Sequence, residues 1–272
     1  MNKELKAKLT KKTKERVAET FTAKDVHVIK AVSLIEELDK MTNLISENTR
    51  EWYSTHFPEL NSLVEDNDIY LNLVLLGNRK NFNEKNVLEA YNNREKTKKI
   101  LEKANQSMGA ELSQETLTQI KGLAEKGLEI KKQRNELTKF IEKEMKELLP
   151  NFSELAEPLI GARMLLKAGS IKKLALMPSS TIQLLGAEKA LFNHIKSGAK
   201  PPKYGYLFGH PMLKQVKRSE QGKFARTMAG KLSIAIRTDF FGGKANAEEL
   251  KKGLEKRITE LNTEKKKTNE TK

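Results

Sequence analysis

The sequence predicts an all-α fold, a long antiparallel coiled-coil hairpin followed by a compact helical domain. Three observations lead there. Hydrophobic residues make up 38% of the 272 and charged residues 32%, a balance suited to helices that bury only a narrow stripe. Over residues 24–53 and 120–148 apolar side chains recur in three- and four-residue steps, which keeps them on one helical face. Beyond Pro150, glycine and proline cut the chain into short helices. The expected segments are a basic arm over 1–23, a coiled-coil domain over 24–152, a compact binding domain over 153–243, and a C-terminal helix with a basic tail over 244–272.

The arm alternates Lys with small polar residues and reads as frayed or weakly helical. From Lys24 to Tyr53 the stripe Val28, Ala31, Ile35, Leu38, Thr42, Ile45, Thr49 and Trp52 predicts one long helix. Its polar members favour packing against neighbouring helices over a free-standing zipper. In EWYSTHFPEL, residues 51–60, Trp52, Tyr53 and Phe57 form an aromatic anchor and Pro58 turns the chain. His56 is read as packed in that anchor, not as a ligand. Ile69–Leu76 is apolar on every face and should be buried. Two long polar helices are expected at 84–106 and 115–149, joined by QSMGAELSQ, the geometry of an antiparallel hairpin. A seam of Ile120, Leu123, Ile130, Leu137, Ile141 and Leu148 makes that hairpin a candidate for self-association.

In the compact domain, Pro178 followed by Ser179, Ser180 and Thr181 predicts the start of a helix running through TIQLLGAEKALFNHIK. KPPKYGYLFGHP reads as an ordered loop around a short extended YLF segment. Phe224, Met228, Leu232 and Ile236 at four-residue steps predict a core helix over about 218–240. Leu250, Leu254, Ile258 and Leu261 predict a last amphipathic helix, and EKKKTNETK a disordered tail.

Charge is the strongest pointer to function. Residues 161–244 hold sixteen Lys or Arg against three acids, Glu188, Glu220 and Asp239, so +13 of the chain's net +15 lies there. Solubility needs only a modest, dispersed charge. A concentrated block marks a polyanion-binding surface, most often for nucleic acid. Its cations, among them Lys196, Lys200, Lys203, Lys217 and Arg218, supply affinity through counterion release. Stacking and edge reading fall to His210, Tyr204, Tyr206, Gln183, Asn193, His194 and Gln215, which suit the unpaired bases of RNA. Tyr204, Tyr206 and Phe208 also read as core residues of their loop, and for Tyr206 and Phe208 the core is preferred. An RNA clamp of this kind requires the cations on one folded face and His210 open to solvent.

Other chemistries fail on spacing. The GK pairs at Gly222 and Gly230 carry Lys217 and Ala225 where a P-loop needs its first glycine, and no G-x-G loop is present. His27, His56, His194 and His210 lack the i, i+4 spacing of a helical metal pair. There is no serine nucleophile elbow and no cysteine, which removes disulfide and thiolate chemistry. Glu188 reads as an ion-pair partner for a basic side chain. Neither cofactor nor metal is expected, nor catalysis by this chain alone. No apolar run reaches membrane-spanning length and no signal peptide is recognisable, so a soluble, intracellular protein is expected.

GARMLLKAGSIKKLALMPSSTIQLLGAEKALFNHIKSGAKPPKYG, HPMLKQ and GKFARTMAGKLSIAIRTDFFGG resemble, in order, the Nop-domain family. EWYSTHFPEL is similar to the segment leading into that family's coiled coil, and SMGAEL to the tip of its hairpin. The likeness covers about residues 24–262 and is nearest to the archaeal scaffold branch of box C/D small ribonucleoproteins. It implies a coiled coil that forms a homodimer. It also implies a Nop domain that binds the composite surface of a box C/D guide RNA kink-turn and a ribosomal-protein-like kink-turn-binding protein. On matching positions it places Glu188, Lys189 and Asn193 at that interface, with Gln183 and His194 on its protein side. It makes His210 an RNA-stacking loop histidine, and Lys223, Arg226 and Arg237 phosphate contacts. Family members also carry an N-terminal domain that docks fibrillarin, the RNA 2′-O-methyltransferase. Only about twenty basic residues precede the coiled coil here, so a shortened form, or a docking module on a separate chain, is expected and fibrillarin binding stays open. The short tail favours the archaeal branch and a cytoplasmic location; a eukaryotic member would be nucleolar. Rival readings are a spliceosomal relative binding a similar RNA stem, a subunit lending cations to another chain's active site, and a nonspecific nucleic-acid binder.

Overall fold

The computed structural model describes Thr13 and residues 24–269, with side chains as far as Thr263. Apart from Thr13, the arm expected over 1–23 lies outside the described residues. Every regular element among the described residues is helical, as the sequence predicts. The chain forms two compact units, Leu34–Glu136 and Met1–Ser33 with Leu137–Lys272.

In chain order the first helices are α1 (Lys24–Ser54), α2 (Leu60–Leu63), α3 (Asn67–Leu75), a 3-10 turn at Arg79–Asn81, α4 (Glu84–Tyr91), α5 (Arg94–Asn105) and α6 (Gln114–Leu148). Within Leu34–Glu136, Arg134 Nε donates to Asp39 Oδ1 at 2.8 Å. Gly127 lies so near Ile45 that an added Cβ would sit 3.2 Å from its Cγ2. Residue 39 thus meets 134 and 45 meets 127, so α1 and α6 run antiparallel. The 84–106 segment, predicted as the partner of α6, is instead two shorter helices, α4 and α5, and Ile100 and Ala104 of α5 share a core with Leu117, Ile120 and Ala124 of α6. Asn92 takes the left-handed φ of 51° that ends α4, and the Asn93 side chain caps α5 by accepting the Lys96 N–H. Two adjacent asparagines therefore break what the periodicity reads as one helix.

The core of this unit gathers Tyr53, Phe57, Leu60, Tyr70, Leu73, Ile100, Leu117 and Ile120, all buried. The Tyr53 hydroxyl donates to the Gly77 carbonyl at 2.6 Å. Trp52, expected in the aromatic anchor, is 40% exposed, because Tyr53, one step round the helix, takes the inward position. His56 is buried as read: its Nε2 accepts the Arg79 N–H at 3.1 Å and its Nδ1–H donates to the Ala110 carbonyl at 2.8 Å. The Arg79 guanidinium donates to the carbonyls of Gly109, Ala110 and His56. Glu59 holds the Ser107 hydroxyl at 2.7 Å and the Met108 N–H at 3.1 Å. SMGAEL therefore hangs from residues 56–59 and Arg79. Gly109 has no substitute there, since a Cβ would fall 2.0 Å from the His56 carbonyl oxygen.

The seam expected to self-associate is occupied differently. Ile120 and Ile141 are buried and Leu123, Ile130, Leu137 and Leu148 half-buried in the isolated chain. The open apolar stripe is on α1 instead, where Leu34, Met41, Leu44 and Trp52 are 42%, 48%, 61% and 40% exposed. At 100° per residue these four fall within one quarter-turn sector of the helix.

The later helices are α7 (Pro150–Ala156), α8 (Pro158–Ala168), α9 (Ile171–Leu176), α10 (Ser179–Leu184), α11 (Glu188–Ser197), a 3-10 turn at Tyr206–Gly209, α12 (Pro211–Lys214), α13 (Gln221–Phe241) and α14 (Ala247–Asn269). At the centre of their unit is α13, which packs against α7, α9, α10 and α14 and buries Phe224, Met228, Leu232 and Ile236 as predicted. Asp239 accepts the N–H groups of Asn151 and Phe152 at 3.2 and 2.8 Å, satisfying two of the open donors at the start of α7. Lys24 and Glu147 pair at 3.0 Å in the same unit. Three expectations are corrected here. The helix predicted through residues 181–196 is two helices, because Gly186 at φ +89° turns the chain between α10 and α11. The extended YLF segment is the 3-10 turn. The tail expected to be disordered from residue 264 continues α14 to Asn269.

Candidate composite RNA and protein interface

The site is built on α11. Its first residue, Glu188, accepts the Gly186 N–H at 2.8 Å and faces Lys167 Nζ at 3.6 Å, the ion-pair role the sequence suggests. Burial raises the Glu188 carboxyl pKa, but the Gly186 and Glu188 N–H groups and Lys167 outweigh it and hold it below the usual range. The start of α11 is thus tied down while its length is not packed inward. None of Glu188–Ser197 is buried, and Phe192 and Ile195 are 62% and 75% exposed.

Helical geometry arranges this open surface. At 100° per residue, Ile195, Glu188, Phe192, Lys196, Lys189 and Asn193 follow one another around an outer arc of about 160°. Leu191 and His194, both half-buried, occupy the opposite side. One edge of the arc therefore carries Ile195 and Phe192 on either side of Glu188, and the other carries Lys196, Lys189 and Asn193. The sequence reading selected Lys189, Asn193 and Lys196 and missed Phe192 and Ile195. Their spacing from Glu188, four and seven residues, was the available signal.

The remaining expected residues separate into open and committed groups. Lys200, Lys203, Arg218, Lys223 and Arg226 are exposed, with Lys223 paired to Glu220 at 2.7 Å. Gln183 Nε2 donates to the Lys203 carbonyl at 2.7 Å, and His194 Nδ1 bonds the Ala199 carbonyl. Both side chains therefore shape the loop after α11, each through one of its polar atoms. Gln215 and Lys217 are exposed and border α14, with Lys217 Nζ on the Asn262 carbonyl at 3.1 Å and Asn262 Nδ2 on the Gln215 carbonyl at 3.0 Å. By helical periodicity Lys223, Arg226 and Arg237 share one face of α13. Arg237, however, donates from Nε to the Ala175 carbonyl at 3.1 Å, serving an open carbonyl at the end of α9. It ties two helices together while the residue stays exposed, so a structural contact is added to the expected phosphate-binding role.

His210 is the main correction. It is 2% exposed, its Nδ1 accepts the Met212 N–H at 3.2 Å as the cap of α12, and its Nε2–H donates to the Leu155 carbonyl at 3.0 Å. A backbone N–H only donates and a carbonyl only accepts, so the ring is neutral with its proton on Nε2. Burial pushes its pKa down to about 4; the Leu155 carbonyl opposes this and Lys251 adds to it. A ring enclosed in this way has no face for a base, and the stacking role falls. The clamp in the form that required an open His210 falls with it, and what the surface still offers is exposed cations and the open face of α11. The block's three acids each have an internal partner: Glu188 with Lys167, Glu220 with Lys223 and Asp239 at the start of α7.

Among the described residues no helix is long and apolar enough to cross a membrane, and no three His, Asp or Glu side chains group as metal ligands. Fold and surface together define an all-α protein in which, among the described residues, the helix with no buried residue presents Phe192 and Ile195 beside Lys189 and Lys196. The chain belongs to the Nop family (snoRNA binding domain, fibrillarin), which it matches over residues 34–260. It is 43% identical over 253 residues to an uncharacterised NOP5 family protein of Methanocaldococcus jannaschii, covering 93% of this chain and 61% of that protein. It is 39% identical over 216 residues to Nucleolar protein 58 of Neurospora crassa, covering 79% of this chain and 36% of the relative. Nucleolar protein 58 of Candida albicans is 36% identical over 218 residues, covering 80% and 42%. The chain thus spans 61% of the first of these relatives and less than half of the other two. A crystal structure of a fibrillarin/Nop5p complex shares the fold with a TM-score of 0.51 at 23% identity, covering 96% of this chain and 80% of that one.

Proposed function

We propose that this chain is a non-catalytic scaffold of a box C/D small ribonucleoprotein, one that guides RNA 2′-O-methylation. In this reading α11 docks on a kink-turn RNA together with its small kink-turn-binding protein. The observation that carries it is the divided outer arc of α11. Phe192 and Ile195 suit an apolar protein surface, and Lys189, Lys196 and Asn193 beside them suit phosphates and sugars. A helix meeting RNA alone has no use for two large exposed apolar residues, and one meeting protein alone has none for the cationic edge. Family membership supports the RNA partner.

The test separates the two edges. Phe192→Ser lowers affinity for the RNA–protein complex without changing its salt dependence. Lys189→Ala with Lys196→Ala lowers affinity and reduces the salt slope by about two phosphate equivalents. Identical salt behaviour of both variants would remove the composite reading.

A homodimer formed through the coiled coil is the second part of the proposal. It is supported by the exposed stripe of Leu34, Met41, Leu44 and Trp52 on α1, not by the seam on α6. Fibrillarin recruitment, a cytoplasmic setting for an archaeal protein and a nucleolar one for a eukaryotic protein complete the proposal. Two named relatives are nucleolar proteins, and the structural neighbour is a fibrillarin complex.

A further inference from the structure

The loop after α11 presents two aromatic rings, Tyr204, which the sequence offered for stacking, and Phe208, for which the loop core was preferred. Tyr204 and Phe208 lie stacked, with centroids 5.5 Å apart and planes 12° from parallel. Tyr204 is half-buried and Phe208 is 63% exposed, so Phe208 rests one face on Tyr204 and turns the other to solvent. From this stack we infer a binding platform for one unpaired RNA base, which lies flat on the open face of Phe208.

The platform is fixed before any ligand arrives. The Tyr204 hydroxyl donates to Gln221 Oε1 at 2.9 Å, and Gln221 Nε2 donates to the carbonyls of Leu213 and Val216. The Gly205 and Tyr206 N–H groups donate to the carbonyls of Gln183 and Leu185 at 3.0 and 2.7 Å, strapping the loop to the end of α10. The approach is so close that a Cβ on Gly205 would fall 1.8 Å from the Leu185 oxygen. Rigid aromatic area gives up little entropy on binding.

The chemistry around the stack selects nucleic acid. Residues 189–219 contain seven Lys or Arg and no acid, so the platform stands in a stretch of one charge sign. Lys203 is the residue before Tyr204, and its stem runs along the first turn of α13 within 3.5–3.7 Å of where a Gly222 Cβ would lie. The Lys203 stem thus lies against the turn whose Gln221 holds the Tyr204 hydroxyl, and a lysine next in sequence to the ring pair suits the phosphate beside a stacked base, the pairing by which proteins hold single strands. A paired base hides both faces in its helix and cannot use the platform.

This inference rests on the RNA-binding half of the function proposed above, and the experiment tells the two apart. The probes are a ten-nucleotide single-stranded RNA carrying one 2-aminopurine, the blunt duplex of the same sequence, and the kink-turn RNA–protein complex. The full chain is expected to bind the single strand, quench its fluorescence and prefer it to the duplex. Phe208→Leu weakens that binding about tenfold and removes the quenching, whereas Phe208→Tyr keeps both. Phe192→Ser leaves the single strand unaffected while weakening the complex. If Phe208→Leu binds and quenches like the parent chain, the platform is overturned even where Phe192→Ser still weakens the complex. Equal binding of single strand and duplex overturns it too. So does a Phe208→Leu effect seen only with the small protein alone, which would make the pair a protein contact.

Discussion

His210 Nε2 donates to the carbonyl of Leu155 at 3.0 Å, joining the cap of α12 to the end of α7 across 55 residues. The cap requires a neutral ring, because Nδ1 must accept the Met212 N–H, whereas Nε2–H can donate in either protonation state. The folded pKa of about 4 lies below the ordinary 6.5, so the unfolded chain binds the proton more readily. The stability contributed is present in full above pH 6.5 and lost as pH falls toward 4. At its limit it amounts to about 3 kcal/mol. His56 is shifted the same way, by burial first and by Arg79 and Lys80 after it, against the Ala110 carbonyl and Glu111. Unfolding followed from pH 7.5 to 4.5 should show stability falling steadily, with a smaller fall in His210→Asn. A flat profile would contradict the neutral buried ring.

Removing His210 outright should cost stability, not RNA affinity. His210→Ala deletes the cap of α12 and leaves the Leu155 carbonyl without a donor, about 2–3 kcal/mol together. Denaturant midpoints measure the loss. The salt slope of RNA binding should match the parent chain.

The hung loop of SMGAEL gives a second stability test. Gly109→Ala puts a methyl group on the His56 carbonyl and is expected to destabilise by about 1–3 kcal/mol. Arg79→Lys keeps the charge but not the fork that reaches three carbonyls, and should destabilise comparably. Met108→Ser, at a side chain 92% exposed, should leave thermal unfolding within about 0.5 kcal/mol of the parent.

Dimerisation is tested on α1. Leu44→Asp alters a side chain 61% exposed and should change monomer stability by less than about 0.5 kcal/mol. Sedimentation should show a dimer for the parent chain and a shift toward monomer for Leu44→Asp. A parent chain that sediments as a monomer at micromolar concentration would remove the dimer.

The helical class and the α13 core were legible because Phe224, Met228, Leu232 and Ile236 repeat without interruption, and packing agrees with the pattern. The pairing of α6 with α1 was not. Both long helices carry polar-interrupted seams, and the short SMGAEL connection favours a local hairpin over the contact of residue 39 with residue 134. The chemistry of the site was legible in its charges and less so in its rings. Phenylalanine is most often buried and histidine intermediate, so residue type alone points away from an enclosed His210 and an open Phe192 or Phe208. Only tertiary contacts distinguish the enclosed His210 from the open Phe192 and Phe208. A helical wheel drawn over EKALFNHIKS would have revealed the divided arc; the break at Gly186 hid where that helix begins.

The central claim is that α11 binds a protein and an RNA at once. The most direct measurement compares the chain's dissociation constants for a kink-turn RNA alone, its small kink-turn-binding protein alone, and the two preassembled. The preassembled complex is expected to bind at least about tenfold more tightly than either component, with Phe192→Ser abolishing the difference. Equal affinity for bare RNA and for the complex would contradict the claim.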